Sequence, residues 1–328
     1  NGRVALYGVS YSGTNQWAVA AMKPPSLKAL VAFAADQDGY RELAYPGGLF
    51  NLNYRRAWYD GQVLPNRAHD GVEAVDFPAD LADHPFDGEF YRGGERNRYL
   101  LTTDLSSIDA PVFTAISQTF ILHGRGGVEA FRQLRGRKHL YVVDSAFASV
   151  FYETTIPDQV AFLGEHLKDE VPPEPLPAVR YYLRGDTEEI VWREADDWPI
   201  PGTEYLDLYL DASQGAAAWE PPREPGRISY SADPSDSSAS EGAVFISAPL
   251  DRDLELAGHF SARLWIDSST HDADVFVAVR VLDGEREVRF TMGDGEPTDP
   301  LTRGMLRASH RTLDPARSLP ERPWHTHA

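Results

Sequence analysis

The sequence predicts an α/β domain built on a parallel sheet, followed by an all-β domain. Three observations carry this. Short apolar runs alternate with helically spaced stretches over residues 4–169, a Pro-rich acidic stretch follows at 170–177, and alternating runs then recur between Gly, Pro, Asp and Ser. The first pattern is that of β-α-β units and the last that of a sandwich or jelly roll. A chain of 328 residues also exceeds one typical domain. The expected boundaries are 1–170 for the α/β domain, with an insertion over about 39–108, 171–177 for the linker, and 178–328 for the β domain.

Residues 4–9, "VALYGV", form the kind of short apolar run that a strand buried on both faces shows. Residues 11–22 follow with small and apolar side chains at helical spacing, and "LKALVAFAA" (27–35) reads as the next strand. From about 39 to 108 the pattern breaks into aromatic and charged pieces, read as a helical and loop insertion over the top of the sheet. "APVFTAIS" (110–117), "GGVEAFRQL" (126–134) and "KHLYVVD" (138–144) resume the order strand, helix, strand. "TIPDQVAFLGEHLKD" (155–169) closes the unit as an amphipathic helix, with Asp158 in the first turn where the dipole favours acids. "EVPPEPLP" (170–177) cannot continue that helix. Beyond it, "AVRYYLRG", "EYLDLYLDA", "GRISYSA", "GAVFISAPL", "LAGHFSARLWIDS" and "ADVFVAVRVLD" read as strands, and 231–241 as a polar low-complexity loop.

With 42% hydrophobic and 11% aromatic residues the chain can bury a sizeable core. Its 31 basic against 50 acidic residues give a net charge of −19, which argues against nucleic acid and anionic lipid as partners. No cysteine is present, so disulfides, thiol catalysis and thiolate metal sites are excluded. That fits a reducing compartment and favours the cytoplasm. No apolar run approaches the roughly 18 residues a membrane span needs. The chain opens at Asn1 almost inside a strand, as a fragment would.

The chemistry-bearing stretch is Gly8-Val9-Ser10-Tyr11-Ser12-Gly13. A nucleophile on a sharp strand-to-helix turn needs small residues on either side, and Gly8 and Ser12 meet that need, Ser12 standing where glycine is commoner. Ser10 is the candidate nucleophile. The backbone N–H of Tyr11, at the start of a helix, is the candidate oxyanion donor. The plainer alternative is that Ser10 caps a helix without chemistry.

Here the chain resembles the cocaine esterase-like and X-prolyl dipeptidyl-peptidase group of α/β-hydrolases, the CocE/NonD type. The elbow "GVSYSGTNQW" carries the resemblance, with "DGYRELAYPGGLF" (38–50), "LHGRGGVEAF" (122–131), "STHDADVFVAVRVLDG" (269–284) and "RGMLRASHR" (303–311). The resemblance implies a Ser-His-Asp acyl hydrolase with a helical cap and a jelly-roll (galactose-binding-like) domain. It implies an ester or amide substrate, a small acyl compound or a peptide of the X-Pro type, and no cofactor. It also implies further sheet strands and an oxyanion-hole tyrosine upstream, with closing strands downstream.

The family places the acid near position 120, where this chain has Phe120, and the histidine after Asp144, where none occurs from 140 to 165. An unaided serine hydroxyl is a poor nucleophile, so partners are sought elsewhere. His123, after the third strand, is the candidate base, with a structural role in its loop as the alternative. Asp36 and Asp38 follow the second strand. Asp38, in the family's D-x-Y-R segment, is the candidate acid, with anchoring of the cap as its alternative role. His139 stands at the wrong end of a strand, and His166 is read as a solvated surface residue. Asp144 reads as closing a turn. "HDAD" (271–274) and "HTHA" (325–328) gather ligand-type residues without a metal-binding spacing, so no metal is expected. Tyr40, Tyr45, Phe50, Tyr54 and Trp58 are candidates to line an acyl pocket or to pack a core. The rivals to an active serine hydrolase are a catalytically silent relative that keeps the scaffold, and a gene fragment without a stable fold of its own.

Overall fold

The computed structural model describes residues 2–66, 76–92, 104–118, 121–143, 155–184, 190–232, 242–288 and 300–328. The expected order is realised from the first residues: β1 (Val4–Val9), α1 (Tyr11–Ala21), β2 (Leu27–Phe33), β3 (Val112–Ser117), α5 (Ile121–Gln133), β4 (Lys138–Val143) and α6 (Ile156–Lys168). Between β2 and β3 lie the short helices α2 (Leu52–Trp58), α3 (Phe77–Ala82) and α4 (Glu89–Arg92), and a helical turn at Tyr40–Ala44. Strands β1 to β4 pair in parallel in sequence order, with Gly8 opposite Ala32 and Val9 opposite Phe33.

Alternation along β2 shows why its sequence is apolar throughout. Leu30 and Ala32 face a core completed by Trp17 and Ala20 of α1 and by Ala130 and Leu134 near the end of α5. Val31 and Phe33 face the opposite core, with Phe113, Tyr141 and Phe162 of α6. Both faces are covered, so neither tolerates a polar stripe. Phe113 packs edge-on against Phe33 at 5.2 Å and against Tyr141 at 4.7 Å, favourable ring geometries.

The first strands after the Pro-rich stretch join the first sheet. After it, β5 (Val179–Arg184) pairs in parallel with β4, and β6 (Ile190–Ala195) pairs antiparallel with β5, extending the first sheet to six strands. The anchors are backbone and imidazole: Leu140 N–H donates to the Ala178 carbonyl, and His139 Nδ1 lies 2.7 Å from that of Pro177. Prolines cannot donate, but their carbonyls accept, so such a segment can approach a strand it cannot join. The alternation of "AVRYYLRG" reads the same for a sandwich strand and for a strand extending an existing sheet, so it does not by itself say which sheet β5 joins.

The chain divides into one unit of residues 1–201 and 259–328 and another of 202–258. The latter holds a small sheet of β7 (Tyr209–Asp211), β8 (Ala216–Ala218) and β9 (Ile246–Ser247). In the larger unit, β10 (Asp274–Val279) pairs with β13 (Thr302–Arg307), and β11 (Val281–Asp283) with β12 (Arg286–Val288), both antiparallel. The expected runs "GRISYSA" and "LAGHFSARLWIDS" form no strand, and no complete sandwich is assembled among the described residues. Trp265 and Phe276 there are 89% and 67% exposed.

In the insertion, Tyr40, Tyr45, Leu81 and Tyr91 form a small buried cluster with Phe50 packed on it. Tyr40 and Tyr45 stack at 5.5 Å, and their hydroxyls donate to the carbonyls of Pro85 and Leu81. These two rings are core, not pocket lining, whereas Tyr54 and Trp58 are partly exposed.

At Gly13, helix α1 meets the end of β2 without a side chain between them. A Cβ on Gly13 would stand 2.8 Å from the Phe33 carbonyl oxygen, and one on Gly8 2.5 Å from that of Ser12. Backbone cannot yield as a side chain can. Gly13→Ala is therefore expected to cost about 1–3 kcal/mol in urea unfolding, and an unchanged midpoint would show that α1 can lift from the sheet freely.

Candidate functional site

Ser10 occupies the single residue between β1 and α1 with φ 58° and ψ −124°. A non-glycine side chain held there costs on the order of 1–3 kcal/mol. The turn is over-determined by its neighbours: Ser10 N–H donates to the Phe33 carbonyl, and the Ser10 carbonyl accepts from Gly13 and Thr14. Its hydroxyl is left half-buried at the carboxyl ends of the strands, with no capping bond. Tyr11 N–H opens α1, where the helical ladder supplies no acceptor.

His123 lies in the first turn of α5, not on a loop, because that helix begins at Ile121, five residues before the expected start. Its Nε2 is 3.3 Å from Ser10 Oγ and its Nδ1 is 2.8 Å from Asp36 Oδ1. Both His123 and Asp36 are buried, at 4% and 3% exposure. A carboxylate accepts only, so Nδ1–H donates to Asp36 and bare Nε2 faces the serine hydroxyl. Asp36 is fixed by α1 through its backbone: its N–H donates to Thr14 Oγ1 at 2.9 Å, and its carbonyl accepts from Trp17 Nε1 at 2.9 Å.

The candidate acid of the sequence reading, Asp38, is not on the imidazole. Its Oδ1 caps the following turn, accepting from the N–H groups of Tyr40 and Arg41. Its Oδ2 takes Arg92 at 2.8 Å and lies 3.4 Å from Arg41 Nε. Burial opposes its charge, yet Arg92, Arg125 and Arg41 hold its carboxyl below the usual range. Asp36 and Asp38 are two residues apart after a strand end, and spacing alone does not say which turns toward α5. A local signal existed: an Asp two and three residues ahead of N–H groups opening a helical turn is a capping residue.

The other histidines take structural places. His139 is the anchor to Pro177 described above. His166 is not fully solvated but packs edge-on against Phe162 at 4.7 Å. His310 and His327 meet at 3.1 Å between their Nδ1 atoms, and burial pushes His327 down to about 3. Asp272 and Asp274 of "HDAD" are engaged by Ser309 and Arg307. Among the described residues no group of three or more His, Asp or Glu side chains is placed to hold a metal ion. Nor is any helix among them long and apolar enough to cross a membrane. Phe120 and Asp144, which mark the family's usual acid and histidine positions, lie outside the described residues.

With this geometry in view, residues 1–143 match the model of the X-Pro dipeptidyl-peptidase (S15) family, and residues 172–324 that of the X-Pro dipeptidyl-peptidase C-terminal non-catalytic domain. The chain is 25% identical to the cocaine esterase of Rhodococcus sp. over 359 residues, 84% of this chain and 61% of that one. A putative serine esterase of Mycobacterium bovis is 27% identical over 161 residues, 42% of this chain and 23% of that one. The crystal structure of a CocE/NonD family hydrolase from Staphylococcus aureus superposes on 100% of this chain and 58% of its own, with a TM-score of 0.83 at 28% identity. The chain thus spans about three-fifths of the length of the cocaine esterase and of the staphylococcal hydrolase.

Asp38→Asn keeps an amide oxygen for the Tyr40 and Arg41 N–H groups but leaves Arg41 and Arg92 short of a charge. It is expected to cost about 3 kcal/mol at pH 7. Because the folded carboxyl titrates below an unfolded one, this contribution is complete above roughly pH 4 and is lost as pH falls below that. Urea unfolding should show the gap between variant and wild type narrowing from pH 7 to pH 3.

Proposed function

The chain belongs to the cocaine esterase and X-Pro dipeptidyl-peptidase family of α/β-hydrolases, and from that premise we propose that it carries the centre of a serine acyl hydrolase acting through an acyl-enzyme on Ser10. Members of the family are hydrolases of the esterase and peptidase type. The observation that carries the reading is the continuous hydrogen-bond chain from Ser10 through His123 to Asp36, begun on a strained strand-to-helix turn.

In this mechanism Ser10 Oγ attacks the carbonyl carbon of an ester or amide while His123 Nε2 takes its proton. Asp36 holds the imidazole in the tautomer with Nε2 bare, and stabilises the imidazolium that forms. Negative charge developing on the substrate oxygen falls near Tyr11 N–H, at the positive end of α1. The imidazolium then protonates the leaving alcohol or amine, and the acyl-enzyme remains. Water activated by the same imidazole attacks the acyl carbon, and the returned proton restores Ser10. The substrate class is an acyl ester, or an amide such as a peptide. No residue of this route needs a metal or an organic cofactor.

The test is labelling of the protein by a fluorophosphonate, together with hydrolysis of p-nitrophenyl acetate. Ser10→Ala and His123→Ala are expected to abolish labelling. Asp36→Asn, which frees the imidazole to adopt the wrong tautomer, is expected to lower turnover by about 10⁴-fold, whereas Asp38→Asn should leave it within severalfold of wild type. Labelling that survives Ser10→Ala would overturn the assignment.

A further inference from the structure

We infer that Glu42 is the positioning residue that sets the Asp36–His123 contact, an inference that rests on the acyl-enzyme reading above. Glu42 lies in the helical turn Tyr40–Ala44 with its side chain fully buried. One of its carboxylate oxygens, Oε2, accepts from the backbone N–H groups of Gln37, at 2.6 Å, and Asp38, at 3.1 Å. The other, Oε1, accepts from Arg125 Nη1 at 2.6 Å. Gln37 directly follows the candidate acid, and Arg125 lies two residues after the candidate base on α5. A single carboxylate therefore grips both the segment that presents Asp36 and the helix that presents His123.

The close fit of these two segments leaves little slack. A Cβ on Gly126 would stand 2.5 Å from Glu42 Oε2, 2.7 Å from the Ala35 carbonyl oxygen and 2.8 Å from Asp36 Cα. The second turn of α5 thus rests directly, at Gly126, on the Asp36 segment, with Glu42 filling the corner. Burying a carboxylate is costly, and burial pushes Glu42 up to about 8 against the pull of Arg125, with Asp36 and Asp38 repelling it further. A group placed at such a cost, with its bonds directed to the two segments whose spacing sets the dyad, acts through Asp36 and His123 without needing contact with substrate.

The test compares Glu42→Ala, Glu42→Gln and Glu42→Asp, alone and with Asp36→Asn, by the rate of fluorophosphonate labelling per folded molecule, with the folded fraction read by circular dichroism. Gln keeps one acceptor at full reach for the Gln37 and Asp38 N–H groups and gives up the bond to Arg125, whereas Asp keeps two acceptors on a stem one methylene too short for either. Positioning predicts that Gln, with one of the two grips left, keeps more of the wild-type rate than Ala and Asp, which fall about tenfold or more. In an Asp36→Asn background Glu42→Ala should lower the rate little further, because the contact that it sets is already lost. If Glu42→Ala fails to fold, the order of Gln above Asp still decides. Asp equal to or faster than Gln overturns the inference, as do losses that add in full to that of Asp36→Asn. Labelling that survives Ser10→Ala overturns the inference together with the acyl-enzyme reading. Labelling lost in Ser10→Ala but indifferent to Glu42 overturns this inference alone.

Discussion

The 2.8 Å bond between His123 and Asp36 joins two segments that leave the sheet at different strands, and the rest of the site depends on it. An imidazole on a helix has two free torsions, and without a partner on Nδ1 it would sample orientations that do not face Ser10. Asp36 can serve because its own backbone is immobilised on both sides, by Thr14 and Trp17 of α1. The same helix carries the backbone N–H that follows Ser10. Nucleophile, oxyanion donor and acid are therefore registered to one rigid element, and the imidazole arrives from a second.

Around this core the insertion and the last residues of the chain act as a brace. Arg41 donates to Asp87 and to the His325 carbonyl, Asp87 accepts Arg92, and Arg92 returns to Asp38. Asp87 N–H closes the circuit on the His327 carbonyl. The indole of Trp324 sits among the guanidinium groups of Arg41, Arg125 and Arg317, the last at 3.7 Å from its centre. Buried ion pairs of this kind add little net stability over apolar packing, because desolvation offsets most of their attraction. Their geometry is demanding, however, and each broken member leaves an uncompensated charge. The network therefore favours one arrangement of the turn at 38–42, and through Glu42 that arrangement reaches the dyad.

What the sequence revealed and what it concealed follow from the range of the interactions involved. The turn at Ser10 was legible because its requirements are local: an apolar strand before it, a helix after it, and no side chains at Gly8 and Gly13 where backbones close to within contact. His123 was legible as a candidate but not its place on α5, since "QTFILHGRGG" gives no capping signal for a helix starting at 121. The choice between Asp36 and Asp38 was legible only in part: the capping position of Asp38 is local, whereas the contacts that hold Asp36 beneath His123 come from residues 14 and 17, which sequence spacing does not bring together. Strand β5 carries the alternation of a sandwich yet pairs with β4, and β6 pairs in turn with β5, since alternation specifies a half-buried strand and says nothing of its neighbour.

The strand order explains why a serine, an acid and a histidine from three successive connections can meet at all. Strands β1, β2 and β3 are neighbours in a parallel sheet, so their carboxyl ends emerge side by side at intervals of about 4.8 Å. Ser10 follows the first, Asp36 the second and His123 the third, which leaves the imidazole about 10 Å from the serine by strand spacing alone. The first two turns of α5 close that distance by passing over the end of β2, and the crossing is possible because Gly126 presents no side chain to Ala35 and Asp36. The acid beneath the crossing then meets Nδ1 from below while Nε2 continues toward the serine. A site of this form needs no long loop to reach across the sheet. It needs one helix to cross one strand end at backbone contact, and a buried carboxylate at the corner to hold it there.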